Sequence, residues 1–111
     1  MRSLYTSESE QLTQYAEAQM RKADSFKAAL VTTRRRAVQL RLRERSFREL
    51  RRRELARFEG PRAVVLRALE RRADAAHDQR LFELANEKTL IRSIRDVELQ
   101  AHIFYEQADG R

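Results

Sequence analysis

Arg53-Glu54-Leu55-Ala56-Arg57-Phe58-Glu59-Gly60-Pro61-Arg62-Ala63-Val64 contains the chain's one strong piece of punctuation. Glycine suits the left-handed position just past a helix end, and proline suits the first turn of the next helix. From Glu8 to Glu59 there is no Gly or Pro. The sequence therefore reads as two long helices, residues 8–59 and 61–106, with an irregular arm at 1–7 and a frayed tail at 107–111. Ser7 followed by Glu10 fits a capping box at the first helix start. Val31-Thr32-Thr33 is the weakest helix-forming point, because β-branched side chains lose χ1 freedom there. At 1.5 Å per residue each helix is roughly 70 Å long. So short a linker permits an αα-hairpin or a sharp kink in one extended rod.

Composition supports an all-α class. Of 111 residues, 37% are charged and 7% aromatic, with only two Gly and one Pro, whereas a sheet protein needs turn residues every 8–12 positions. Without Cys, disulfides and thiolate metal sites are excluded, and a reducing cytoplasmic setting is the default. No apolar run approaches the roughly 18 residues needed to span a bilayer. The first ten residues lack an apolar signal core, and Glu8 and Glu10 do not suit a mitochondrial presequence.

Narrow apolar seams run along both helices. In the second, a strict 3,4 alternation picks out Leu66, Leu69, Ala73, Ala76, Arg80, Glu83, Glu87, Leu90, Ile94, Val97, Ala101 and Phe104. Leu81, Leu84 and Ala85 offer an alternative face through the charged middle. In the first, the same alternation gives Ala23, Phe26, Leu30, Thr33, Ala37, Leu40, Glu44 and Phe47, after which the stripe shifts to Leu50, Leu55 and Phe58. Two apolar places per heptad make a coiled-coil seam. Phe26, Leu30, Leu40, Leu90, Ile94, Val97 and Phe104 are its expected packing residues. The charged interruptions at 44 and 80–87 argue against a long self-dimer and suit a partner surface whose chemistry changes along its length.

Outward from the Gly-Pro step, residues 34–72 carry fifteen arginines, no lysine and five glutamates, a balance of +10. Residues 1–33 balance at zero and 73–111 sum to −3. Arg41, Arg45, Arg48 and Arg52 follow 4,3,4 spacing and line one helix face. Glu44–Arg48, Glu49–Arg53 and Glu54–Arg57 at helical spacing favour an ordered helix. Guanidinium is planar and always charged, and it binds carboxylate or phosphate bidentately. The block reads either as a solvated face or as contact with an acidic partner. Arg34, Arg35, Arg36, Arg41, Arg45, Arg48, Arg52, Arg53 and Arg57 are the candidate contacts. Stacking aromatics are scarce here, only Phe47 and Phe58, both read as seam residues, which weighs against single-stranded nucleic acid. A basic helix on structured RNA remains open. A membrane surface would want a broad apolar face opposite the charge.

Little suits catalysis. His77 with Asp74, and His102 with Glu98, stand at helical spacing, and both read as surface pairs. There is no HExxH, phosphate-binding glycine loop or nucleophile elbow. No cofactor, metal or small-molecule substrate is expected.

Arg36, Leu40, the Glu54-Leu55 pair and Gly60 resemble a helical pattern shared by small all-helical microtubule inner proteins of ciliary doublet microtubules. The resemblance covers residues 23–60. Phe47 stands where that pattern has an acidic residue, and Gly60 arrives one residue late. It implies a structural role in the axoneme of a cilium or flagellum, with arginine-rich helices lying on acidic tubulin beside other lattice proteins. The chain also looks like the two-helix coiled-coil stalk proteins of flagellar and type III export systems. The expectation is a non-enzymatic structural binder of an acidic protein lattice, the alternative an RNA-contacting subunit of a ribonucleoprotein.

Overall fold

The computed structural model describes residues 2–110, with side chains from Ser7 onward. Two helices account for the fold: α1, Arg2–Leu55, and α2, Ala63–Ala108. No strand occurs among the described residues. The helices divide into two compact units, residues 32–87 and residues 1–31 with 88–111, and in each unit α1 packs antiparallel on α2.

The 32–87 unit is an αα-hairpin. Its loop is seven residues long, Ala56 to Arg62, rather than the expected Gly-Pro step. α1 ends at Leu55, four residues before the expected 59, where the Ala56 amide bonds back to the Arg52 and Arg53 carbonyls. Arg52 and Arg53 in the last turn complement the negative end of the helix dipole. Gly60 takes φ 91°, closing a turn in which its amide donates to the Arg57 carbonyl. Pro61 lies outside α2, because Arg62 is the residue whose carbonyl accepts the first helical bond, from Leu66. The missing N-cap side chain is supplied across the hairpin. Glu54 Oε1 accepts from the Arg62 amide at 2.9 Å and from its Nε at 2.8 Å, and Oε2 accepts from Nη2 at 3.0 Å.

The other chain ends also differ from expectation. Residues 2–7 are helical rather than an arm, and Ser7 does not cap. No Gly or Pro stops the helix there, and Ser9 Oγ donates to the Ala108 carbonyl at 2.9 Å, so α2 holds this turn. α2 continues to Ala108, two residues past the expected 106, before a turn at Asp109-Gly110. Met1 and Arg111, parts of the expected arm and tail, lie outside the described residues. α1 runs unbroken through Val31-Thr32-Thr33.

Burial follows the 3,4 alternation. The buried apolar residues are Ala16, Ala23, Leu30, Ala37, Leu40, Ala73, Ala76 and Ala101, so alanine dominates. The expected shift of the stripe does not occur. α1 keeps the alternation through half-buried Arg51 to buried Glu54, while Leu50 and Leu55 are exposed and Phe58 is wholly so. Phe58 lies in the loop that the Glu54–Arg62 clamp ties off, outside the helix whose period would bring it to the seam. Leu81, Leu84 and Ala85 are exposed and do not replace the charged seam positions.

A candidate anion-binding groove

The charged seam positions of the 32–87 hairpin face each other. Glu44, only 8% exposed, lies 3.1 Å from Arg80 Nη2, 3.2 Å from Arg48 Nη2 and 3.0 Å from His77 Nδ1. Arg36 reaches Glu83 at 4.0 Å, Arg34 reaches Glu87 at 3.2 Å, and Asn86 Nδ2 donates to buried Thr33 at 3.1 Å. The expectation that these interruptions await an outside partner is therefore corrected, because the opposite helix supplies it. Periodicity on one helix cannot show which residue lies opposite.

Burial alone would raise the Glu44 pKa. The Arg48 hydrogen bond and the charges of Arg80, His77 and Arg48 outweigh it and hold the carboxyl below its ordinary value. His77 Nδ1 also lies 3.2 Å from Arg80 Nη2. With a proton on Nδ1 it can donate to Glu44, and without one it can accept from Arg80. Asp74 lies 3.9 Å from Arg48 and His77 turns to Glu44, and the expected Asp74–His77 pair does not occur among the described residues. His102 pairs with Glu106 at 2.9 Å and Glu98 with Lys27 at 3.6 Å, replacing the expected Glu98–His102 pair.

Beside this cluster lies an open groove. Arg41, Arg45, Arg48 and Arg52 line its α1 wall, with Glu44 and Glu49 between them, and Arg80 projects from α2. The acids are already engaged, Glu44 as above and Glu49 by Arg52 at 3.0 Å. Arg41 and Arg45 have no ion-pair partner among the described residues and sit one turn apart on an exposed flank. The Nε of Arg80 is buried without an acceptor. Such a groove can offer the Arg41 and Arg45 guanidinium groups as donors to carboxylate or phosphate oxygens.

The nine candidate arginines thus fall into two groups. Arg34, Arg36, Arg48, Arg52 and Arg57 hold acids of the chain itself, Arg57 bonding Glu54 at 3.6 Å and Glu59 at 3.3 Å. Arg35, Arg41, Arg45 and Arg53 are exposed and hold none among the described residues. Glu49 pairs with Arg52, three residues on, in place of the expected Arg53. Arg80 completes the groove, although its place in the 3,4 alternation of α2 reads as a seam position and not as a contact. Of the packing residues, Leu30 and Leu40 are buried, and Phe26, Leu90, Ile94, Val97 and Phe104 are half-buried. Phe104 sits with its ring 5.8 Å from that of Tyr15.

No group of three or more His, Cys, Asp or Glu residues suited to a metal occurs among the described residues, and no described helix is long and apolar enough to cross a membrane. No known family, curated protein or solved structure matches the chain.

Proposed function

We propose that the chain is a non-enzymatic structural protein that docks on an acidic protein surface through the arginine side of α1. One observation carries this reading: Arg41 and Arg45 stand in an open cationic groove with no ion-pair partner among the described residues. Charge distribution agrees. Residues 32–87 hold sixteen arginines against nine carboxylates, which accounts for the whole net +7. Single-stranded RNA is disfavoured because the groove contains no aromatic to stack a base; Phe47 instead lies under Arg72, 6.0 Å from its guanidinium carbon.

The lattice this reading points to is axonemal tubulin, through the resemblance above. Several residues of the shared pattern have internal work, Arg36 on Glu83, Leu40 in the seam and Glu54 on Arg62. The support for tubulin is therefore the charge complementarity of the remaining arginines.

Cosedimentation with microtubules, and with tubulin assembled in the chain's presence, tests this beside RNA binding across a salt series. The expected result is salt-sensitive pelleting that Arg41→Gln with Arg45→Gln abolishes while helicity stays unchanged. RNA affinity with a steep salt slope and no pelleting in either format would sink the reading.

A further inference from the structure

The geometry points to the occupant of the groove: an acidic amphipathic helix of the partner, laid along the hairpin as a third helix. The inference rests on the reading above and specifies what the partner presents.

The arginine groove does not stop at Arg41. A second hollow shares Arg41 and Arg80 with it and continues along the same side between Val38 of α1 and Leu84 of α2, floored by Ala37. From Arg34 to Arg52 the combined groove spans about 27 Å of α1, five helical turns. Val38 and Leu84 are 58% and 40% exposed, so an apolar place is open between the helices. Arg34 and Glu87 at the far end neutralise each other at 3.2 Å. The groove is thus cationic over Arg41–Arg52 and apolar at Val38 and Leu84. A helix with carboxylates along one flank and a short apolar stripe matches both parts at once. A flat acidic surface would meet the arginines but leave Val38 and Leu84 in water.

A second copy of the chain fits poorly. Its matching hairpin carries the same +7, and its remaining residues balance at eight basic against eight acidic. The opposite side of the hairpin is also less suited, since Arg36 and Arg43 there share a hollow with Glu83.

The test uses the full chain and two stapled synthetic helices of roughly 18 residues, enough to fill the groove. Both carry the same glutamates and leucines. In one the leucines form a single stripe; in the other they are scattered around the helix. Fluorescence anisotropy should show the striped helix binding at least about tenfold more tightly than the scattered one. Val38→Asn with Leu84→Gln should remove that advantage, and Arg41→Gln with Arg45→Gln should remove binding of both. Circular dichroism of the variants should match the parent, because all four side chains are exposed. Equal, arginine-dependent binding of the two helices overturns the third-helix proposal and leaves the acidic-surface reading standing. Failure of both helices to bind in an arginine-dependent way overturns both. A concentration-dependent dimer that Leu84→Gln abolishes would place a second copy in the groove and overturn the proposal.

Discussion

Glu54 is 6% exposed and meets Arg62 through its amide and the Nε–Nη2 edge of its guanidinium, with Arg57 behind it. The Arg62 side-chain bond leads the causes that lower its pKa to about 2 from an ordinary 4.5, against the opposing effect of burial. A carboxyl depressed by folding contributes stability that is full above the unfolded value and is lost as pH falls through the folded one. The contribution of Glu54 is therefore complete above 4.5 and disappears between 4.5 and about 2. Thermal unfolding followed by circular dichroism should show Tm falling across that window. Glu54→Gln should lower Tm at neutral pH and flatten the fall; the same slope in both proteins would assign the acid sensitivity elsewhere. Glu44 titrates in the same direction and adds to the parent's slope. The sequence offers a Glu54–Arg57 pair, and the structure retains it at 3.6 Å. The stronger Arg62 contact could not be read from helical spacing, because a loop lies between the partners.

At the scale of the helices, alanine sets how closely α1 and α2 can approach. Ala23 is 0% exposed, so a larger side chain there must be taken up inside the seam. Ala23→Leu should destabilise by about 1–3 kcal/mol through overpacking. An unchanged Tm would mean that the seam yields easily. Polar layers do a different job. Glu44 against Arg80 and His77, and Thr33 against Asn86, pair fixed positions of the two helices, so sliding one helix past the other would break them. Glu44→Gln should lower Tm by roughly 5 °C or more, since it strips charge from a site holding two guanidinium groups. The double change Glu44→Leu with Arg80→Leu should recover much of that loss and relax the register, which disulfide trapping between introduced cysteines would detect. A double variant with a single register would remove this role from the layer. The 3,4 alternation made the inner faces of α2 and of residues 23–47 legible, including the charged places. It misled past Phe47, where Leu50, Leu55 and Phe58 draw the eye to an apolar stripe while Arg51 and Glu54 keep the period. Hydrophobicity alone could not identify a seam position occupied by a clamped carboxylate.

For the whole chain, charge is segregated between the two units. The 32–87 hairpin holds all of the +7, and residues 1–31 with 88–111 sum to zero. Binding through the hairpin should weaken as ionic strength rises from low salt toward physiological levels, where the screening length contracts to about 8 Å. Affinity that is flat across the series would argue for an apolar contact carrying the energy. The two-helix architecture and the basic block were legible because glycine, proline and arginine are counted directly. Which arginines remain available was not, because that depends on acids brought close by the turn.

The turn clamp also has a kinetic consequence. Cross-helix contacts range in sequence separation from 8 residues at Glu54–Arg62, through 19 at Arg51–Glu70 and 53 at Arg34–Glu87, to 99 at Ser9–Ala108. Forming the last of these from an open chain costs about 2 kcal/mol more closure entropy than forming the first. If the turn closes first, each later layer adds only a small further loop, and the helices zip from the bend toward the free ends. Conservative substitutions at Arg62 should then slow folding, with φ near 1, and Ser9→Ala should chiefly speed unfolding, with φ near 0. The reverse pattern in stopped-flow kinetics would mean that the chain ends meet before the bend is made.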